Sequence, residues 1–374
     1  MRGVMLALAV MISFLGFGLL DRPDRQDSME AKGTVISVDN SRMTVIGSNR
    51  IGEQRVMITT SGFEQPIEAT NHLSGSLEYD EYYQPGDNVL FVYQSNSQGK
   101  PILARTLAHY RLEVLIGLLC VFALGLMIYA RRVGVRALLS FAGSLAIIWY
   151  WLIPTLLSGT NPLIATTSSV CLLSGVIIFS VAGFTTKGIS AFLGTLTGLV
   201  ITTGLCIVVS RWLKLDGMTQ PLAQVVLFET GMHLNMLNIY FAAVIIGASG
   251  AAMDVAMEMA ATLEELKANR PTLQQGQLMA SGFRVGSAVI GTMTTTLLLA
   301  YSGGFLTMLM LFMSRDVSML QIFNMKLVAA EISRTLVGSI SMLLVAPLTA
   351  WIAAYLLCRR FNQGHFEVTN KLEI

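Results

Sequence analysis

The chain has 374 residues, of which 53% are hydrophobic and 13% are charged, and its mean hydropathy is +0.62. This composition is typical of a polytopic membrane protein and excludes a water-soluble enzyme. The net charge of +2 comes without a basic run, so we expect no nucleic-acid partner. The four cysteines lie in apolar stretches and the four histidines are far apart, so we predict no disulfide, no metal site and no cofactor.

The first apolar stretch covers residues 4–20 and follows Arg2. Such a stretch is typical of a signal peptide or of an uncleaved membrane anchor. It lacks small residues at a cleavage position, which favours an N-terminal anchor over residues 1–20. In either form it sends the next segment across the membrane.

Residues 31–107 change to short alternating runs separated by turn residues such as Asp39-Asn40. Five runs in about 75 residues predict a small all-β domain, an OB-like barrel, which is a fold that can bind oligosaccharide or peptide. The predicted strands are residues 32–38, 42–46, 54–59, 88–93 and 102–107.

Seven further apolar spans predict a helical membrane domain over residues 112–358, which makes about eight transmembrane helices with the first one. The short loops on one side carry most of the basic residues, although a few, such as Arg211, fall on the other side. The positive-inside rule then predicts cytoplasmic termini, a cytoplasmic tail over residues 359–374 and an extracytoplasmic β domain. The predicted spans are residues 112–130, 137–157, 163–183, 189–210, 238–261, 285–313 and 335–358.

Two of these spans open with similar sequences. Residues 190–197 are S-A-F-L-G-T-L-T, and residues 287–294 are S-A-V-I-G-T-M-T. Each copy follows a basic residue, Lys187 or Arg284, by a few positions. The repeat predicts helical hairpins of the same orientation, which is a common construction in transporters.

The span over residues 238–261 carries a carboxylate, Asp254, roughly 10 Å from its predicted inner end. A carboxylate at that depth is costly unless it is paired, hydrated or neutral, so we interpret Asp254 as functional. The alternative is a structural hydrogen bond to a neighbouring helix. Glu258 lies one turn further on the same helical face, where it either contributes to the path or extends to the interface.

Two other polar stretches are candidates for a substrate path. In G-T-M-T-T-T, Gly291 is followed by Thr292, Thr295 and Thr296, whose hydroxyls either line a polar path or bond to their own helix. Glu331 and Arg334 lie one turn apart near the predicted outer end of the last span. They form either an outer gate or a local ion pair.

Three motifs carry a family resemblance: G-A-S-G-A-A-M-D-V-A-M-E-M-A, S-G-F-R-V-G-S-A-V-I-G-T-M-T-T-T-L-L-L-A-Y-S-G-G and E-I-S-R-T-L-V-G-S-I-S. With them the chain resembles the YibE/F-like family of bacterial membrane proteins, from the strand domain to the last helix. The resemblance implies a plasma-membrane protein with an extracytoplasmic domain and a permease role, without naming a substrate.

This chain departs from the family pattern at two places. The family typically has Gly-Arg-Asp where this chain has Gly286-Ser287-Ala288, and an asparagine in place of Thr295. If that charged pair normally partners Asp254, the partner is different here, and Arg284 is the candidate.

The leading hypothesis is a secondary transporter or permease of the bacterial plasma membrane. It is coupled to protons or cations through Asp254, with Glu258 and Arg284 gating the cytoplasmic side. The expected partners are the lipid bilayer, an unidentified small solute or ion, and either a second copy or another membrane protein. The alternative is a non-transporting envelope scaffold or assembly protein whose β domain binds a protein or glycan. The chain lacks H-E-x-x-H and a second aspartate motif, so we do not expect an enzyme.

Overall fold

The computed structural model describes residues 28–95, 101–231, 234–315 and 317–372, with side chains described except at 28, 102 and 360–372. The predicted anchor over residues 1–20 lies outside the described residues. The chain divides into two compact units, and the boundary falls between Tyr129 and Ala130. The first unit contains the β domain and the second contains most of the helices.

The β domain is a closed five-stranded barrel with the strand order β1-β2-β3-β5-β4. All neighbouring strands are antiparallel except β3 and β5, which are parallel. This connectivity agrees with the predicted OB-like barrel. The strands are β1 (Ser28–Ile46), β2 (Asn49–Thr59), β3 (Ile67–Ser74), β4 (Asn88–Ser95) and β5 (Pro101–His109).

The strand predictions were wrong at two places in the barrel. The predicted strands 32–38 and 42–46 form the single strand β1, and the predicted turn between them is a register shift between Asp39 and Arg42. The Asp39 carboxylate accepts a hydrogen bond from the Ser41 N–H at 2.9 Å, so the irregularity is satisfied locally and the strand continues. Strand β3 was missed, although its residues alternate between buried and partly or fully exposed positions.

A buried hydrogen bond between Gln54 and Asn71 explains why β3 was not recognised from hydrophobic alternation. Gln54 is fully buried in the barrel, and its Oε1 accepts hydrogen bonds from Asn71 Nδ2 at 3.1 Å and from the Tyr83 N–H at 3.1 Å. Asn71, on β3, is therefore an inward-facing polar residue. Around this link the barrel core is apolar, with Ile58 and Phe91 fully buried.

The remaining secondary-structure elements of the described chain are helices. A π-helical turn at Ile147–Leu152 follows the first helix directly. The helices are α1 (Leu112–Ala146), α2 (Ile153–Leu157), α3 (Pro162–Ala182), α4 (Thr186–Trp212), α5 (Ala223–Glu229), α6 (Met236–Asn269), α7 (Gln275–Gly304), α8 (Leu306–Ser314), α9 (Met319–Asn324) and α10 (Lys326–Leu372).

Within the described residues, six helical segments are long and apolar enough to cross a membrane. The first, Leu112–Leu157, is 46 residues long, about 69 Å if straight, which is more than twice the hydrocarbon thickness of a bilayer. It is interrupted at Arg131, whose φ of 48° and ψ of −117° are not helical. The interruption falls between the predicted spans 112–130 and 137–157.

The predicted span 285–313 had wrong boundaries. Helix α7 begins at Gln275, where Gln274 and Gln277 form a capping box, and it ends at Gly304. The adjacent glycines Gly303 and Gly304 favour the break, and α8 starts after Phe305. The spans predicted at 238–261 and 335–358 also extend further, to the full α6 and α10.

Helix α6 is the centre of the helical unit. In its most apolar 18-residue window 61% of the residues are buried, against 11% for α7. It packs against α3, α4, α7 and α10, and α10 also packs against α4 and α7. Glycines allow the closest of these contacts, since a Cβ on Gly198 of α4 would stand 2.2 Å from Val345 Cγ2 of α10. Most residues of the apolar part of α6 are therefore buried among the other described helices.

Candidate functional site

Asp254 lies near the middle of the 34-residue helix α6, on a side that no described helix covers. The exposed residues on this side recur every three or four positions, whereas most residues between them are buried. We call this side the open face of α6, and it consists of Gly247, Gly250, Asp254, Glu258 and Ala261. No large apolar side chain belongs to it, unlike a helical face in contact with lipid.

The carboxylate of Asp254 has no hydrogen bond and no ion pair with any described residue. The same holds for the carboxylate of Glu258, one turn along the helix. Two like charges at this spacing repel each other. The arrangement therefore leaves both carboxylates able to accept a proton or a cation.

Contacts between α6 and α7 fix the level of Asp254 along the bundle. A Cβ on Gly247 would stand 3.2 Å from the Tyr301 hydroxyl, and one on Gly286 would stand 3.3 Å from the Met259 side chain. The two helices are therefore antiparallel. Because Asp254 lies between these two contacts, the hydroxyl stretch of α7 (Gly291 to Thr296) lies at about the same position along the helix axes as Asp254.

Arg284, the predicted partner of Asp254, does not contact it. Its Nη2 donates a hydrogen bond to Ser281 Oγ at 3.4 Å, and it has no carboxylate partner among the described residues. A Cβ on Gly282 would stand 3.3 Å from Leu263, which places Arg284 about 10 Å from Asp254 along the helix axes. Arg284 is closer in level to Glu258.

The hydroxyl stretch of α7 is exposed and also bonded to its own helix. Thr292 donates to the Val289 carbonyl at 2.9 Å, and Thr296 donates to the Thr292 carbonyl at 3.1 Å. Thr295 makes a longer bond of 3.4 Å to the Gly291 carbonyl. These bonds use the hydroxyl protons and leave oxygen lone pairs available on an uncovered face.

Glu331 and Arg334 form a largely enclosed ion pair on α10. Arg334 Nη1 lies 3.4 Å from Glu331 Oε2, and the two side chains are 19% and 13% exposed. Glu331 Oε1 and Arg334 Nε are buried without a hydrogen-bond partner among the described residues. A buried pair with unsatisfied atoms is costly, which is typical of a site that rearranges or binds a polar group.

Two tyrosines beside this pair were not predicted from the sequence. The Tyr240 hydroxyl bonds to the Ala330 carbonyl at 2.8 Å and to Ser333 Oγ at 2.6 Å, and the Arg334 guanidinium lies 5.8 Å from the Tyr240 ring centre. Tyr301 reaches α6 at Gly247. The signal for Tyr301 was its place at the end of the second quoted motif, but a tyrosine in an apolar span has many structural roles.

The basic residue at the start of α4 lies near the end of α6. Lys187 Nζ is 3.9 Å from Glu264 Oε2. At the opposite end of the bundle, Lys326 forms an ion pair with Asp216. Each end of the helical unit thus has an ion pair that joins distant parts of the chain.

A comparison with protein families matches residues 118–359 to the family described as YibE/F-like protein. The match covers well over half of the chain and begins after the β domain, so the barrel is outside it. Neither the curated proteins nor the solved structures give a match. The chain belongs to the YibE/F-like protein family.

Proposed function

We propose that this protein is a secondary transporter or permease of the bacterial plasma membrane, coupled to a proton or a cation through Asp254. One observation carries the proposal: a carboxylate with no partner among the described residues lies near the middle of α6, the most buried of the described long helices, on a face without large apolar side chains. An ionisable residue in that position is a functional candidate because its uncompensated charge is costly.

The mechanism follows from the charge of the open face of α6. When Asp254 takes up a proton or a cation, the face loses negative charge, and enclosing it away from water becomes less costly. Ion binding therefore shifts the population between arrangements in which the face is open and closed. The solute crosses the membrane through the same change between open and closed arrangements, so its movement is coupled to that of the ion.

The polar groups on either side of Asp254 act as gates in this proposal. Glu258 and Arg284 lie towards the end where Lys187 meets Glu264, and we assign that end to the cytoplasm. The Glu331–Arg334 pair lies towards the other end and serves as the outer gate. Its unsatisfied buried atoms support the idea that another arrangement of this pair exists.

The proposed topology has eight transmembrane helices, both termini in the cytoplasm and the barrel outside. The interruption at Arg131 supports two crossings within Leu112–Leu157, because basic residues surround it at Arg132 and Arg136. The first crossing is the apolar stretch 4–20.

A second candidate function, an envelope scaffold, draws support from the barrel. A cavity of about 690 Å³ lies between β3, β5 and the connection that precedes β3, and it is lined by Glu64, Glu68 and Leu103 among others. The two strands pair only at Thr70 and Arg105, so the barrel wall is weak there. Such a groove suits an extended peptide or a glycan. Binding by the barrel with no ion dependence of the helical unit would favour this function.

The test of the leading proposal is the effect of pH and sodium concentration on thermal stability, with the protein purified in detergent. Asp254→Asn is the test variant, and Glu265→Gln is the matched control, an exposed carboxylate near the end of the same helix. We expect the wild type and Glu265→Gln to change melting temperature with proton or sodium concentration, and Asp254→Asn to lose that response. An unchanged response in Asp254→Asn contradicts the proposal.

A further inference from the structure

The two copies of the internal repeat have the same small residues but different surroundings. In the first copy, Ser190 and Ala191 are fully buried, and a Cβ on Gly194 would stand 2.1 Å from Thr349 Oγ1 of α10. In the second copy, the equivalent face of α7 is exposed, and a Cβ on Gly291 would meet nothing within 4 Å. A helix covers the first small face, and no described residue covers the second.

The middle of the exposed side of α7 carries Arg284, Ser287, Ala288, Gly291 and Thr295, which we call the open face of α7, and the same side continues with the exposed Leu298 and Leu299. Small residues recur on it four positions apart, which is the pattern that lets two membrane helices approach closely. It also carries a guanidinium and three hydroxyl or glycine positions where a lipid-facing helix has large apolar side chains. Contact between this face and lipid chains is therefore unfavourable.

The charges on the two open faces complement each other. The open face of α6 is acidic, through Asp254 and Glu258, and the open face of α7 is basic, through Arg284. Neither carboxylate is paired with Arg284 within the described chain. Each charge thus lacks a partner of opposite sign among the described residues and has a counterpart of opposite sign on the other face.

The positions of these charges along the helix axes are compatible with a two-fold symmetric dimer. Because Gly282 contacts Leu263, Arg284 is level with Ala261, about 5 Å along the axis from Glu258. Two copies inserted in the same direction and related by an axis along the membrane normal keep these levels. Arg284 of one copy then reaches Glu258 of the other, and the contact is made twice.

We propose that a second copy of this chain covers the open faces of α6 and α7, and that the partner's Arg284 pairs with Glu258 beside Asp254. The Asp254 site is then complete only in the dimer. The role of the dimer in transport rests on the function proposed above, whereas the assembly itself does not depend on it.

Charge reversal with rescue tests the pairing. The full chain is labelled with one dye per copy and reconstituted in liposomes of phosphatidylethanolamine and phosphatidylglycerol, and copies are counted by single-molecule photobleaching. We expect Glu258→Arg and Arg284→Glu each to weaken dimerisation at least about tenfold, and the double variant to restore it. Glu229→Arg, which reverses an exposed carboxylate outside both faces, leaves it unchanged. A monomeric wild type, or single reversals without effect, overturns the proposal.

Disulfide cross-linking gives a second measurement that does not depend on these charges. With the native cysteines replaced, we expect a chain that carries both Ala261→Cys and Ala288→Cys to form linked dimers in membranes, because the proposed contact places α6 of one copy against α7 of the other. Val200→Cys, at a position on α4 that is 65% exposed, does not cross-link. Equal cross-linking at Val200 and at the open faces contradicts the assignment.

Gly291→Val separates assembly from folding. Because nothing lies within 4 Å of the added Cβ, the isolated chain tolerates the change, whereas a close helix contact does not. We expect the dimer to be lost while the monomer remains folded, as measured by thermal unfolding in detergent. A normal dimer in Gly291→Val contradicts the close contact at this face, whereas the ion response of Asp254→Asn tests the coupling role separately.

Discussion

The contact between α4 and α10 provides a sharp test of the packing through Gly194→Ala. The added Cβ would stand 2.1 Å from Thr349 Oγ1 and 3.0 Å from Thr349 Cα. Rotation of the threonine side chain relieves the first overlap, but the second involves backbone and requires the two helices to separate. Overpacking of this kind costs about 1–3 kcal/mol.

Gly204→Ala is the matched control on the same helix, since a Cβ there meets nothing within 4 Å. Both substitutions gain the same helix propensity of about 1 kcal/mol, so their difference isolates the steric cost. For a unit of this size, about 1–3 kcal/mol corresponds to a melting temperature lower by about 2–12 °C. Thermal unfolding in detergent measures it. Equal melting temperatures for Gly194→Ala and Gly204→Ala would refute the close contact.

Three other changes test the barrel and the ion pair. Replacing Gln54 by Ala leaves its buried partners unsatisfied and is expected to destabilise the barrel by about 1–3 kcal/mol, measured by limited proteolysis. Slight burial raises the pKa of Asp80, but hydrogen bonds from Ser74 and from two backbone N–H groups lower this pKa by a larger amount. The pKa of Asp80 is therefore below its usual value. The resulting stabilisation is present above about pH 4 and is lost as the pH falls through the folded-state pKa, so Asp80→Asn should flatten this acid limb in thermal unfolding. Arg334→Met alone should destabilise by about 3–5 kcal/mol because it leaves Glu331 enclosed and unpaired, whereas adding Glu331→Leu should recover much of the loss in chemical unfolding.

The long apolar helices, the barrel and the placement of Asp254 on one of those helices followed from composition and periodicity. Strand β3 did not, because its inward positions include Asn71, whose partner Gln54 belongs to another strand. A polar residue is classed as outward by an alternation argument unless its buried partner is known. Likewise, the continuity of β1 depends on a bulge satisfied by a side chain, which resembles a turn in the sequence.

The site shows a different limit of sequence reasoning. The two repeat copies share the pattern S-A-x-x-G-T-x-T, yet Gly194 is covered by α10 and Gly291 is uncovered. Which neighbour covers a small face depends on packing between distant segments, and the local sequence does not record it. For the same reason the contact between Asp254 and Arg284, which was inferred from the departure from the family pattern, is not formed, because the two residues lie about 10 Å apart along the helix axes.

The proposed binding of the coupling ion by Asp254 can be measured by carbodiimide labelling in proteoliposomes. A hydrophobic carbodiimide reacts with protonated carboxyl groups in apolar surroundings, and mass spectrometry locates the modified residue. We expect Asp254 to be labelled, and its labelling to slow as the pH rises or as sodium is added, with Glu265 as the internal reference. Absence of labelling at Asp254, or labelling that is indifferent to both ions, would contradict the claim.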